Sequence, residues 1–194
     1  MTKAQEALPV LLFENEAAWQ AWLQEHHGSS AGLWLQLAKK GSSLRSLSYA
    51  EALEVALCYG WIDGQKRSHD ASSWLQKFSP RGPRSLWSKR NVEKVQALVE
   101  AGRMHPAGLR AVEQAKADGR WEAAYDSQST ASIPADLQNA LAGNPEANEF
   151  FSTLKGANRY AILFRIQTAK RPETRAKRIA QFIEMLQRHE TIHP

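Results

Sequence analysis

The chain has a single cysteine, Cys58, among its 194 residues. One thiol excludes an internal disulfide and a Cys-rich zinc cluster, and it fits a reducing compartment. Cys58 itself reads as a small buried hydrophobe. No run approaches the ~20 apolar residues that a membrane-spanning helix needs. Met1 to Val10 has neither a basic n-region nor an apolar h-region. Secretion and membrane spanning are therefore not expected, and the expected compartment is the cytoplasm. A Walker-type phosphate loop, a GxGxxG and a GxSxG are all missing. The six histidines are scattered without a metal-ligand pattern, and no Ser/His/Asp grouping stands out. No cofactor and no metal is expected. Internal repeats and low-complexity tracts are also lacking.

What the chain does have is tryptophan, seven residues of it, and an uneven charge. Residues 1–38 carry 1 basic and 4 acidic side chains, 39–103 carry 12 and 6, 104–155 carry 4 and 7, and 156–194 carry 8 and 3. The formal charge of +5 is thus the sum of −3, +6, −3 and +5. Two basic blocks brought together would attract phosphate, carboxylate or nucleic acid; left apart, they are a solvated surface.

Hydrophobic spacing divides the chain into a mixed front and a helical tail. Val10 to Phe13 has strand length, and Asn15 then caps a helix carrying Ala18, Trp19, Trp22 and Leu23. Leu33, Leu35 and Leu37 alternate against Trp34, Gln36 and Ala38, which is the period of a strand. Ser48-Tyr49-Ala50-Glu51 is a capping box opening a helix that Gly60 ends. Trp61 to Gly64 reads as a short strand running into a turn, and Ser73 to Ser79 as a fourth strand. The run Ser79-Pro80-Arg81-Gly82-Pro83-Arg84 can only be a constrained loop. Helices follow from about Trp87 or Ser88 to Ala101 and from Pro106 to Asp118.

Asp126 to Ser132 is linker-like. Beyond it Pro134–Ala142, Pro145–Leu154, Asn158–Ala169 and Pro172–His189 read as helices, with Tyr160 to Ile166 apolar enough to be central. The expected class is α+β: a small sheet of about four strands with packed helices over residues 1–126, a linker at 127–133, and an all-helical segment at 134–194.

Chemistry concentrates around Asp63 and the proline loop. Arg81 and Arg84 precede a helix start that carries Trp87, Ser88, Lys89 and Asn91. A helix N-terminus offers free N–H groups and partial positive charge, so these side chains could converge on a phosphate or carboxylate. The alternative is structural: Asp63 pairs with Arg81 or caps the turn at Gly64, while Ser88 and Asn91 serve as cap and cap partner. Trp61, Trp74 and Trp87 are either a stacking platform or core. Arg171, Arg175 and Arg178 recur along the last helix and are expected to pair with the acidic stretch from Glu113 to Asp126.

Several segments together resemble a known family. They are Ala56 to Gly64, reading Ala-Leu-Cys-Tyr-Gly-Trp-Ile-Asp-Gly; Phe78 to Arg81; Ser85 to Asn91; Gly102 to Gly108; and, in the tail, Ala169 to Arg175 with Lys177-Arg178-Ile179. This set is similar to the YdeI/OmpD-associated family of bacterial proteins, over about residues 32 to 190. The resemblance implies a helical C-terminal signature and a label of protection against bacteriocins or cationic antimicrobial peptides. It also implies periplasmic members, from which this chain departs in showing no export signal. No reaction, cofactor or catalytic residue comes with it.

Three functions remain open. The first is a non-enzymatic module binding an anionic ligand through Asp63, Arg81, Arg84, Trp87, Ser88, Lys89 and Asn91. In the second, Asp63 is the general base of an enzyme acting on a phosphate- or carboxylate-bearing substrate. The third is a protein-interaction module using the C-terminal helices, which an exposed apolar patch there would support. Nucleic acid is a further partner class, to be recognised by steep salt dependence.

Overall fold

The alternation of Leu33, Leu35 and Leu37 becomes the centre of a sheet in the computed structural model of the chain, which describes residues 8–194. Most of the Met1–Val10 segment thus lies outside the described residues. In chain order the elements are β1 (Val10–Leu12), α1 (Glu16–His26), β2 (Leu33–Ala38), α2 (Tyr49–Cys58), β3 (Trp61–Ser68) and β4 (Ser73–Pro80). They continue as α3 (Lys89–Glu100), α4 (Pro106–Ala117), α5 (Ala135–Ala142), α6 (Pro145–Thr153), α7 (Gly156–Gln167) and α8 (Pro172–Gln187). This is an α+β fold with a helical tail. No helix of the described residues is long and apolar enough to cross a membrane.

The chain divides into two units. The first runs through Leu86 and resumes over Asn91–Glu122; the second takes Trp87–Arg90 and Ala123–Pro194.

In the first unit the strand order is β1-β2-β4-β3, with β1 parallel to β2 and the other pairs antiparallel. Leu33, Leu35 and Leu37 share a face with Gln76 and Phe78, their register partners or neighbours on β4. Trp19 of α1 reaches that face, 5.9 Å from the Phe78 ring, and its indole N–H donates to the Ala52 carbonyl of α2 at 3.1 Å. Both helix starts are capped as their sequences indicate, with Asn15 accepting from the Ala18 N–H and Ser48 and Glu51 closing a reciprocal capping box. β3 is longer than the spacing predicts. Its register shifts between Asp63 and Lys66, so a bulge at Gly64 and Gln65 absorbs what reads as a turn and the strand continues to Ser68. The β3–β4 turn is closed by Asp70, whose carboxylate accepts from the N–H groups of Ser72 and Ser73 and from the Ser73 hydroxyl.

α4 crosses the end of α2 at a position that only glycine fits. A Cβ on Gly108 would lie 2.1 Å from the Cys58 carbonyl oxygen. The chain leaves α2 through Gly60, at φ +75°, a conformation that costs glycine nothing.

The second unit packs α5 to α8 around Leu137, Leu141, Phe151, Ile162, Ile166, Phe182 and Leu186. The apolar run in α7 suggests that helix as the centre, but α8 is the one that packs against α5, α6 and α7 alike. At 16 residues against 12, it is long enough to reach all three. Trp87–Arg90 join this unit through a parallel bridge between Ser88 and Tyr125: the Tyr125 N–H donates to the Trp87 carbonyl and the Lys89 N–H to that of Tyr125, both at 2.9 Å. Asp126 anchors the entry. Its carboxylate meets Lys89 Nζ at 2.6 Å and Gln167 Nε2 at 2.9 Å, and its carbonyl accepts from the Tyr160 hydroxyl. The linker-like stretch that follows is a hydrogen-bonded turn at Ser127–Thr130, with Ala131 and Ile133 against the helical core.

Candidate functional site

The proline loop leaves β4 with the Arg81 N–H donating to the Gly60 carbonyl at 3.0 Å, which extends the pairing with β3 by one bond. The loop then closes on itself, since the Ser85 hydroxyl accepts from the Gly82 N–H and the Ser85 N–H donates to the Gly82 carbonyl. Two guanidinium groups hold its carbonyls. Arg81 Nη1 donates to Leu86 at 3.1 Å, and Arg120 Nη1 donates to Ser85 at 3.0 Å. Arg120, only 7 % exposed, also grips the Asp118 carboxylate through Nε and Nη2. Arg120 is absent from the sequence-based site, because nothing in its local sequence separates it from the chain's other arginines.

The seven residues singled out from sequence are spread over both units. Asp63, in β3, accepts a hydrogen bond from the Tyr49 hydroxyl at 2.7 Å. Arg81 sits in the loop as described, Arg84 is exposed at its tip, and Asn91 lies half-buried in the first turn of α3. In the second unit Trp87 is buried, Ser88 forms the bridge to Tyr125, and Lys89 is paired with Asp126. Of the tryptophans weighed as a platform, Trp61 and Trp87 are core, while Trp74 is half-buried beneath Lys66, whose Nζ lies 4.2 Å from its ring centre.

The first unit also holds a cleft of about 430 Å³ lined by Glu16, Gln20, Val55, Cys58, Tyr59, Gly102 and Arg103. Beside it three rings meet. His105 stacks on Tyr59 with centroids 4.7 Å apart, and His27 stands edge-on to His105 at 4.8 Å. The Tyr59 hydroxyl donates to Gln24 at 2.9 Å, and burial pushes the phenol pKa up. Burial also raises the Cys58 thiol, which makes it a poor nucleophile. His105 caps α4: its Nδ1 accepts from the Ala107 N–H, so that nitrogen carries no proton. Burial, with the neighbouring charges of His27 and Arg110, holds its pKa below the usual histidine value.

In the second unit a groove of about 640 Å³ runs between α5 and α8. Ala140, Ala176 and Ala180 stand where larger side chains would fill it, Ile179 and Ile183 form the floor, and Asp136, Asn144, Glu184 and Gln187 supply polar edges. Arg175 pairs with Asp136, not with the acidic stretch from Glu113 to Asp126, and also donates to the Ile166 carbonyl at 2.8 Å. Arg178 donates to the Arg165 carbonyl. Sequence spacing alone pointed these arginines at distant carboxylates, whereas α8 lies close enough to α5 and α7 for nearer acceptors to take them.

A helix-backed sheet of four strands followed by a helical unit defines the class. Residues 11–111 match the family described as a domain of unknown function, DUF8412, and residues 130–189 match the family described as "Bacteriocin-protection, YdeI or OmpD-Associated". The chain belongs to the DUF8412 family, whose match takes in just over half of its 194 residues, and its tail is a YdeI/OmpD-associated domain. The segments from Ala56 to Gly108, which resemble the YdeI/OmpD-associated family, fall in the DUF8412 match, whereas the Ala169–Ile179 segments fall in the YdeI/OmpD-associated one. No curated protein and no solved structure matches the chain.

Proposed function

We propose that the helical tail is a docking module for an amphipathic, cationic peptide helix, taken into the groove between α5 and α8. The groove carries this proposal: Ala140, Ala176 and Ala180 leave a concavity of about 640 Å³ above the buried Ile179 and Ile183. A partner helix laying apolar residues at i, i+4 and i+7 over the exposed Ala176 and Ala180 would fill the groove. The local edge of the groove, against the +5 of residues 156–194, sets the sign of the charge it receives. Asp136 is already matched by Arg175, and the Gln187 amide donates to that of Asn144 at 3.2 Å, so Glu184 is the carboxylate left at the edge to receive a flanking Lys or Arg. The groove lies within residues 130–189, the span matched by a family whose description includes bacteriocin protection, and many such peptides are short amphipathic cations.

Fluorescence anisotropy with a labelled amphipathic Lys-rich helix, and with its Glu-rich counterpart, tests this reading. Binding of the cationic helix, lost in Ala180→Trp, is expected. Equal binding to that filled variant, or preference for the anionic helix, would refute it.

A second reading places an anionic ligand on the proline loop. It is favoured by the charge of residues 71–92, where Lys77, Arg81, Arg84, Lys89 and Arg90 occur without a single carboxylate. Because Arg81 also holds the Leu86 carbonyl, Arg84 is the residue to replace: Arg84→Ala should abolish any thermal stabilisation by phosphorylated metabolites and leave the unliganded melting temperature unchanged.

A further inference from the structure

We propose that the cleft between α1 and α2 binds a free α-amino acid, held by its zwitterionic head group between Glu16 and Arg103. Glu16 and Gln20 stand one turn apart on the α1 wall, and Gly102 and Arg103 form the wall opposite. Across the mouth, Arg103 Nη2 meets Glu16 Oε1 at 2.6 Å. Arg103 Nη1 lies 3.5 Å from Glu54, whose other oxygen is 2.9 Å from Lys94. Two cations thus balance two carboxylates.

That balance selects the ligand. A lone anion moving onto Arg103 would meet Glu16 and Glu54 and leave one of them unpaired, and a lone cation moving onto Glu16 would strand Arg103. A molecule carrying both charges one carbon apart makes a one-for-one exchange, its carboxylate to Arg103 and its ammonium to Glu16. Every charge then stays partnered, which is the condition for placing ions in a cleft. The displaced pair costs little to open, because both side chains are about two-fifths exposed and solvent already screens them. Val55 and Cys58, both buried, offer only a small apolar surface at the base, and the Gln20 amide is placed on the wall for a further hydrogen bond. At about 430 Å³ the cleft has room for one amino acid and a few waters. The site lies wholly in the first unit and stands independently of the tail groove.

Isothermal titration of the intact chain with L-valine, L-leucine and L-methionine, and with N-acetyl-leucine and leucinamide, decides the matter. Saturable binding of at least one free amino acid is expected, weakened about tenfold or more when either charge is blocked. Arg103→Gln and Glu16→Gln should each abolish it while near-UV circular dichroism stays unchanged, since neither side chain is core. Absence of saturable binding by all three amino acids up to about 10 mM would overturn the proposal. So would N-acetyl-leucine binding as tightly as leucine, or leucine binding undiminished in both variants.

Discussion

The His105 ring lies over Tyr59 at a centroid distance of 4.7 Å and an interplanar angle of 20°, while its Nδ1 accepts the N–H of Ala107. The capping contact needs the neutral ring, because a protonated Nδ1 cannot accept. The folded-state pKa of His105 is depressed, so the unfolded chain takes up the proton first as pH falls. The stabilisation is therefore complete above the unfolded value near 6.5 and declines as pH drops toward the folded one. Urea unfolding at about pH 7.5 and about pH 5 should show lower stability in acid, and His105→Asn, which keeps a capping oxygen but cannot titrate, should remove this part of the difference.

Gly108→Ala tests the crossing of α4 over α2. The new methyl would meet the Cys58 carbonyl at 2.1 Å, a backbone atom that cannot step aside, so a loss of about 1–3 kcal/mol is expected by chemical denaturation. On an exposed helix the same change would be stabilising.

Arg120→Ala should cost about 1–3 kcal/mol, because it removes the donor to the Ser85 carbonyl and the partner of Asp118 together. Arg120→Lys should recover only a fraction, since a point ammonium cannot reach both acceptors as the planar fork does. Trypsin cleavage at Arg84, on the loop tip, reports the result: it should accelerate in both variants.

Asp126→Asn weakens the entry to the tail. It removes the ionic contact with Lys89 and misplaces a donor beside Gln167 Nε2, with an expected loss of about 1–2 kcal/mol. The Lys89 hydrogen bond first, then that of Gln167, holds the Asp126 pKa below the usual aspartate value. Its contribution is thus present above 3.8 and lost as pH falls through the folded value, so the variant should show a flatter acid limb.

Local chemistry was legible where one element sufficed to express it. The Ser48–Glu51 capping box, the Asn15 cap and the alternation of β2 involve neighbours in sequence, and each forms as its spacing dictates. The bulge at Gly64 was not legible, because a glycine before a charged run signals a turn unless a partner strand is present to keep pairing. Of the candidate site, the proline loop was found and its constraint foreseen. The role of Arg120, some 35 residues away from Ser85, was not, because a hydrogen bond to a main-chain carbonyl leaves no mark on the acceptor's residue type.

The sequence by itself determined the α+β class, the helical tail, and the YdeI/OmpD-associated resemblance that the match over residues 130–189 bears out. Each of these depends on periodicity, composition or contiguous motifs, which are properties of the chain as written. Only the tertiary structure decided that Trp87–Arg90 pair with Tyr125, that Glu16 and Arg103 face each other across a cleft, and that three alanines leave a groove beside α8. Those facts depend on which distant faces meet and on what space their side chains leave unfilled, and spacing along a single element carries no information about either.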